Sequence, residues 1–368
     1  GQYNQITCTT GLNPWFFLQL ILRCVNDDKS YNLIYYHRMF NGKTILITGG
    51  TGSFGKTFVK YLLKNYKPKK LIIFSRDEFK QFKMREEIPD PKQKLRFFLG
   101  DVRDLNRLQT AFRGVDVVIH AAALKQIPII EYNPTEAIKT NILGSQNVIE
   151  AAVDQKVKKV LLISSDKAVQ PINLYGATKL SAEKLFIAAN SYSPSKTLFS
   201  AVRYGNVVAS RGSIIETLLA SQNKITKIKI TDPEMTRFWL TLKQSCQLVT
   251  FAVENMEGGE IFIPNIPSMK IDHLFKAIAP NAKKEIIGLR PGEKMHEILL
   301  TEHESRNALA IGSYFVVLPE IKSGDGNYNK YYKSGKKVAK NFQFASDTNT
   351  AWLTDKDIKK HILNAKLI

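Results

Sequence analysis

The chain of 368 residues is long enough for one large or two ordinary domains with a sizeable core, and its 44% hydrophobic and 23% charged residues describe a soluble globular protein. The formal net charge is +20. No dense basic run is interleaved with aromatic residues, so a nucleic-acid reading would rest on net charge alone; the charge reads as a solvated surface that helps to attract an anionic substrate.

Residues 1–38 differ in character from the rest. The apolar run Asn13–Leu22 is shorter than the ~20 residues a membrane span needs. It also lacks a basic start and a small-residue cleavage site, so neither an integral membrane segment nor a signal peptide is expected. The segment reads as an upstream extension outside the fold, or else as a short membrane-associating or oligomer-contact helix. Cys8, Cys24 and Cys246 show no paired spacing and no metal motif, which predicts a reducing, cytoplasmic setting and no metal.

From Met39 onward strand and helix signals alternate. Lys43–Thr48 is a predicted strand, followed at once by Gly49-Gly50-Thr51-Gly52-Ser53-Phe54-Gly55 and then by Phe58, Leu62 and Leu63 at helical spacing. Gly49, Gly52 and Gly55 allow a tight turn and close backbone approach to a pyrophosphate at a helix N-terminus. The next strand, Lys70–Phe74, ends in Ser75-Arg76-Asp77-Glu78. The hydroxyl of Ser75 and the guanidinium of Arg76, assisted by Lys80, suit the 2′-phosphate of NADP; the alternative is that Arg76 is a solvated charge and Asp77 takes the ribose.

Leu95–Gly100 is a third strand, ending at Asp101-Val102, and Val115–His120 a fourth, ending at Ala121-Ala122-Ala123. Small residues there let the chain pass close to a flat cofactor, and His120 reads as structural. Strands alternating with helical segments predict an α/β, doubly wound parallel sheet of the Rossmann type with sites at its carboxyl ends. Residues 39–205 form mainly this part. Residues 206–368 form mainly a smaller α/β substrate-binding part, with segments that could return to the sheet.

The run Val160–Ile163 reads as a buried strand leading into Ser164-Ser165-Asp166-Lys167 and then Tyr175-Gly176-Ala177-Thr178-Lys179. Tyr175 and Lys179 share one helical face, and an ammonium beside a phenol favours the phenolate needed to take a proton from an alcohol. Asp166 and Lys167 add an acid and a potential base. The bland alternative is a strand end followed by a surface helix.

Taken together, the glycine loop, Asp101-Val102, Ala121–Ala123, Asn141 and Tyr175-x-x-x-Lys179 resemble the extended short-chain dehydrogenase/reductase family. Within it, Ala123–Pro128, Glu131–Pro134 and Ser165–Ala168 resemble the UDP-N-acetylglucosamine 4,6-dehydratases. So do Arg203–Val207, Met235–Trp239 and Arg290–Lys294, so the resemblance spans residues 39–368. Retaining nucleotide-sugar dehydratases carry Asp-Glu where Asp166-Lys167 stands, and the membrane-anchored relatives carry methionine in place of Tyr175. Lys167 with Tyr175 therefore resembles the inverting group that begins pseudaminic acid synthesis. Gln126, Ser165 and Gln170 depart from that group's usual histidine, threonine and asparagine.

The resemblance implies a division of labour. Tyr175 and Lys179 would serve oxidation at carbon 4, Asp166 would be the acid and Lys167 the base of the elimination. The alternative for that pair is a simple salt bridge, or a lysine cation that stabilises an enolate. The resemblance also implies NADP held by Gly49, Thr51, Gly52, Ser53, Phe54, Gly55, Ser75, Arg76, Lys80, Asp101, Val102, Ala121, Ala123, Lys125, Tyr175 and Lys179. UDP-N-acetylglucosamine would meet Lys125, Asn206, Arg211 and Thr226, with Arg211 either a pyrophosphate clamp or a solvated loop residue. A homo-oligomer, a hexamer by resemblance, is expected. Rival readings are a 4-epimerase or retaining dehydratase of the same fold, and a non-catalytic NADP-binding sensor. Finally, residues 322–346 read as a polar loop, and Thr354 as the cap of a last helix.

Overall fold

A computed structural model describes residues 39–193, 196–207, 226–320 and 327–366; the extension 1–38 and Arg211 lie outside them. The strands that carry the fold are short apolar runs. β1 (Thr44–Thr48) is buried along its whole length, which suits the centre of a parallel sheet covered on both faces. Around it lie β2 (Lys70–Ser75), β3 (Leu95–Leu99), β4 (Val117–His120), β5 (Lys159–Ile163) and β6 (Leu198–Val202). Their order across the sheet is β3-β2-β1-β4-β5-β6, all parallel. That order reverses direction between β1 and β4, which opens a crevice at their carboxyl ends.

Helices bridge these strands: α1 (Ser53–Asn65), α2 (Glu78–Glu87), α3 (Leu105–Ala111), α4 (Ile127–Tyr132), α5 (Gly144–Asp154) and α6 (Leu174–Tyr192). Asp77 and Asp104 cap α2 and α3 through their side chains, and Asn173 accepts from the Gly176 amide at 2.8 Å to start α6. One turn of π-helix, Ile138–Leu143, precedes α5. Such wide turns often mark functional sites, and here it carries Asn141.

After β6 the chain makes β7 (Asn206–Val207), β8 (Lys227–Ile230) and β9 (Thr236–Leu240), then α7 (Leu242–Asn255). β10 (Ile261–Pro264) returns to the large sheet beside β6, in parallel. β11 (Ser268–Lys270) pairs with β9, and α8 (Ile271–Ile278) and β12 (Lys283–Ile286) follow. β13 (Ile298–Leu300) leads to β14 (Ala308–Ile311) and β15 (Tyr314–Val317); β15 pairs antiparallel with β10 and β14 antiparallel with β15, extending the large sheet, with β16 (Lys336–Lys337) at the edge. The sheet thus has ten strands. β17 (Phe344–Ala345) pairs with β13, and α9 (Asp355–Lys366) ends the chain. Ile358 and Ile362 of α9 join Trp239, Met269, Leu274 and Ile278 in an apolar cluster. As expected, Thr354 caps α9, accepting from the Asp357 amide at 3.2 Å.

The loop expected over 322–346 is corrected where it is described. Residues 329–334 form a helix and β16 and β17 follow. Two tyrosines organise it: the Tyr328 hydroxyl donates to the Gly258 carbonyl at 2.6 Å, and that of Tyr331 to the fully buried Glu260 at 2.8 Å. Buried aromatic anchors outweighed a polar composition.

Candidate active site

A cleft of about 590 Å³ opens at the carboxyl ends of β1, β2, β4 and β5. Its floor is the glycine loop. Gly49 has φ +65° and a Cβ there would stand 2.8 Å from the Ala122 amide nitrogen, so the loop can lie against Ala121 and Ala122 only as glycine. Gly52 precedes α1, whose first turn has neither a side-chain cap nor an acidic residue. That helix end suits an anion. Thr140 Oγ1 and Ser164 Oγ line the same cleft, buried and without a hydrogen-bond partner. A glycine cradle, an uncapped helix and orphaned hydroxyls fit a polar, phosphate-bearing dinucleotide.

At the end of β2, Ser75 is buried while the Arg76 side chain is half exposed and lies 3.5 Å from Asp101. Burial would raise the Asp101 carboxyl, but Arg103 and Arg76 hold it below the usual carboxylate range. Asp77 is committed to α2. It accepts from the Lys80 amide at 2.9 Å and pairs with the Lys80 ammonium at 2.6 Å.

Behind the cleft runs a buried hydrogen-bond chain. Thr48 Oγ1 and His120 Nδ1 are 2.7 Å apart, His120 Nε2 and Ser145 Oγ 3.1 Å, and Ser145 donates to the Asn141 carbonyl at 2.6 Å. Since the Ser145 proton is used there, His120 donates from Nε2 and accepts from Thr48. Burial, with Lys179 nearby, pushes the imidazole down to about 3, so it is neutral. Asn141 in turn grips the Leu124 backbone at 2.8 and 2.9 Å and reaches Thr178 of α6 at 3.0 Å. This chain ties β1, β4 and the π-turn to α6, and His120 is structural.

On the opposite wall stand Asp166, Lys167, Tyr175 and Lys179, all lining the cleft. Ser165 caps a short 3₁₀ turn, Asp166–Ala168, and donates to Asp166 Oδ1 at 2.7 Å. Gly176 allows α6 to press on this turn, since a Cβ would collide with the Lys167 carbonyl. Burial pushes Lys179 down to about 8, opposed only by Glu183. Glu183 is itself bound to Arg203 at 2.7 Å. The Tyr175 phenol is raised by burial; Lys167 and a hydrogen bond with Ser165 oppose that rise and Asp166 adds to it. The groups acting on it are those of the 3₁₀ turn.

Lys167 Nζ lies 3.0 Å from Asp166 Oδ1 and 3.4 Å from Glu297 Oε1. Burial would lower its pKa, but the two carboxylates outweigh burial and hold it above the ordinary lysine value. Asp166 Oδ2 and Glu297 Oε2 are buried and accept no hydrogen bond. Sequence reasoning missed Glu297, which lies far along the chain beside β13 and carries no local signal. It also missed the role of Ser165, whose place at a strand end just before the acid was visible. Of the residues expected at the site, Lys125 and Asn206 line the cleft. Thr226 is exposed at the start of β8, outside that lining, where its carbonyl accepts from the Lys283 amide at 2.9 Å.

A doubly wound sheet, a glycine loop at its switch point and a Tyr-x-x-x-Lys pair across the crevice define a dinucleotide-dependent short-chain dehydrogenase/reductase of the extended type. The chain belongs to the family described as polysaccharide biosynthesis protein, which matches residues 45–319. It is 51% identical over 328 residues to a Campylobacter jejuni protein named UDP-N-acetylglucosamine 4,6-dehydratase (inverting), covering 87% of this chain and 97% of that one. A Rickettsia bellii protein named UDP-glucose 4-epimerase is 44% identical over 334 residues, 89% of this chain and 97% of that one. Among solved structures, Pen from Bacillus thuringiensis superposes with a TM-score of 0.81 at 40% identity, covering 90% of this chain and all of that one. Among the described residues, no helix is long and apolar enough to cross a membrane.

Proposed function

We propose that the chain is a UDP-N-acetylglucosamine 4,6-dehydratase that inverts carbon 5, with NADP as its coenzyme and UDP-2-acetamido-2,6-dideoxy-β-L-arabino-hex-4-ulose as its product. The observation that carries this reading is the Asp166–Lys167 pair in the cleft that also holds Tyr175 and Lys179. An epimerase needs the tyrosine and lysine but has no elimination for an acid–base pair to serve. The identity to the Campylobacter protein, higher than that to the Rickettsia one, supports the same choice. NADP is favoured because Asp77 is engaged by Lys80 while Arg76 is half exposed at the cleft.

The coenzyme, when bound by the glycine loop, Ser75 and Arg76, supplies a hydride acceptor and donor. Tyr175 takes the proton of the carbon 4 hydroxyl, and the ketone formed acidifies the hydrogen on carbon 5. The Lys167 amine takes that proton, and the C–H electrons move into the enolate. The Asp166 carboxyl gives its proton to the carbon 6 oxygen, the C–O bond breaks, and water leaves. Loss of water leaves a double bond between carbons 5 and 6; the hydride held by the coenzyme would add to carbon 6 and a solvent-exchangeable proton to carbon 5 from the opposite face, which inverts that centre. The pair holds one proton for this exchange. In the ligand-free arrangement it rests on Lys167, so the elimination requires it to pass to Asp166 across the 3.0 Å contact. Substrate binding, by excluding water from both groups, favours that neutral form.

The resemblance further supports a homo-oligomer, a hexamer, acting in the cytoplasm at the first step of pseudaminic acid synthesis; light scattering would measure the assembly. Proton NMR of the product in deuterated water tests the activity. Deuterium at carbon 5 with the L-arabino configuration is expected. No dehydrated ketone from UDP-N-acetylglucosamine would sink the reading, and a carbon 4 epimer would replace it.

A further inference from the structure

The segment 290–297 is fastened to the catalytic turn at three points. Asn173 Nδ2 donates to the Gly292 carbonyl at 2.8 Å, Lys294 Nζ donates to the Val169 carbonyl at 2.6 Å, and Glu297 Oε1 meets Lys167 at 3.4 Å. Glu297 is itself clamped. Its amide donates to Ser346 Oγ at 2.9 Å, and its carbonyl accepts from the Ser346 amide at 2.8 Å. Its carboxylate is buried, with Oε1 3.8 Å from Arg237 of β9 and Oε2 4.0 Å from Lys294, and Oε2 accepts no hydrogen bond. A buried carboxylate is costly unless its charge is used.

We propose that Glu297 is a positioning residue, whose carboxylate fixes the Lys167 side chain and balances the ammonium that forms when Lys167 takes the carbon 5 proton. This role rests on the dehydratase reading above. The proton account explains why one carboxylate is not enough. When Asp166 gives its proton to the leaving oxygen and Lys167 gains one from carbon 5, the pair becomes ionic in a confined site. Glu297 gives the new ammonium a second carboxylate partner beside Asp166. The same carboxylate also resists over-stabilisation, because Arg237 and Lys294 share it. The groups facing Lys167 are then Asp166 in its own turn, Tyr175 of α6, Glu297, and Arg237 and Lys294 behind Glu297. Burial raises the Glu297 carboxyl while Lys167 pulls it down, in keeping with a link between the two groups.

The test compares Glu297→Gln with wild type in two readouts. The first is acetylation of Lys167 by acetic anhydride as a function of pH, followed by peptide mass mapping. Loss of the carboxylate should move the midpoint to lower pH by about one unit, a tenfold change in the protonation equilibrium. The second is turnover of UDP-N-acetylglucosamine in deuterated water. Here kcat and carbon 5 deuterium uptake should fall about tenfold, with KM within about twofold, as expected for a group acting beyond the ground-state complex. A folded variant, judged by NADP binding, that keeps the wild-type labelling profile would overturn the role. So would a rise in KM at unchanged kcat. Should the glutamine variant fail to fold, Glu297→Asp moves the charge by one methylene and carries the same readouts; a partial shift is expected, and no shift overturns the role. Absence of product from wild type would sink the dehydratase reading, whereas the labelling profile still decides whether Glu297 controls Lys167.

Discussion

Two lysines in one cleft differ in the company they keep. Lys179 on α6 is buried, and its nearest acid, Glu183, is already bound to Arg203 at 2.7 Å, so burial prevails and its pKa falls to about 8. Lys167, on the 3₁₀ turn, lies within 3.4 Å of two carboxylates, which outweigh the burial that would lower it. The difference shows that burial alone does not make a lysine a base. Whether a neighbouring acid is free or committed decides it, and an elimination base held by acids must have one of them protonated before it can act.

The comparison can be broken most sharply by removing one member from each side. Tyr175→Phe should lower turnover by about 10³-fold by stopping oxidation at carbon 4. Lys167→Ala should lower turnover as much while keeping the transient coenzyme reduction that reports oxidation, and should abolish carbon 5 deuterium uptake. Exchange at the normal rate in that variant would mean that Lys167 is not the base.

Gly176→Ala probes the contact between the two sides. Its Cβ would strike the Lys167 carbonyl and approach Pro171 to 2.9 Å. A loss of about 2 kcal/mol in stability is expected, together with lower activity, because α6 must move off the turn. An alanine variant with unchanged melting temperature and rate would show that the two sides are not packed against each other as described.

Arg76→Ala should reduce the preference for NADP over NAD about tenfold, the loss of one charge-assisted contact. Asp77→Ala should instead cost about 1 kcal/mol of stability as a lost helix cap and leave the preference alone. A loss of NAD binding in the Asp77 variant would restore the ribose role to that residue.

The burial of Lys179 is read out as a pH dependence of stability. Folding lowers the Lys179 pKa from 10.5 to about 8, so between those values the unfolded chain binds more protons than the folded one. Wild-type stability should therefore rise relative to Lys179→Met as pH climbs from 8 to 10.5, and below 8 the burial cost is fully present. Chemical denaturation at a series of pH values measures the gap; a gap independent of pH would place the charge elsewhere.

Much of this site was legible in the sequence because its signals are local. The Gly49–Gly55 loop follows an apolar strand directly, and Tyr175 and Lys179 share a helix turn. Covalent neighbours need no knowledge of the fold. Glu297 was illegible for the opposite reason: its approach to Lys167 depends on β13 pairing with β17 and on backbone bonds to Ser346. Helical spacing reports which residues share a face, so it could not show that Lys167, Ser165 and Asp166 also act on the phenol. Residues 327–346 looked like a loop since their polar composition hides Tyr328 and Tyr331, whose partners lie 70 and 71 residues earlier.

The strand order also bears on how the chain is made. β1 to β6 are contiguous in the sheet and come from residues 44–202, so they can assemble while the rest is still being synthesised. At that stage Arg203 can reach Glu183, but Glu304 is 101 residues away, and Lys167 has Asp166 without Glu297. A nascent chain halted after β6 would hold Asp166, Lys167, Tyr175 and Lys179 but not Glu297, so Lys167 would have one carboxylate beside it instead of two. Synthesis of the second half would then complete two charge networks, that of Arg203 with Glu304 and that of Lys167 with Glu297.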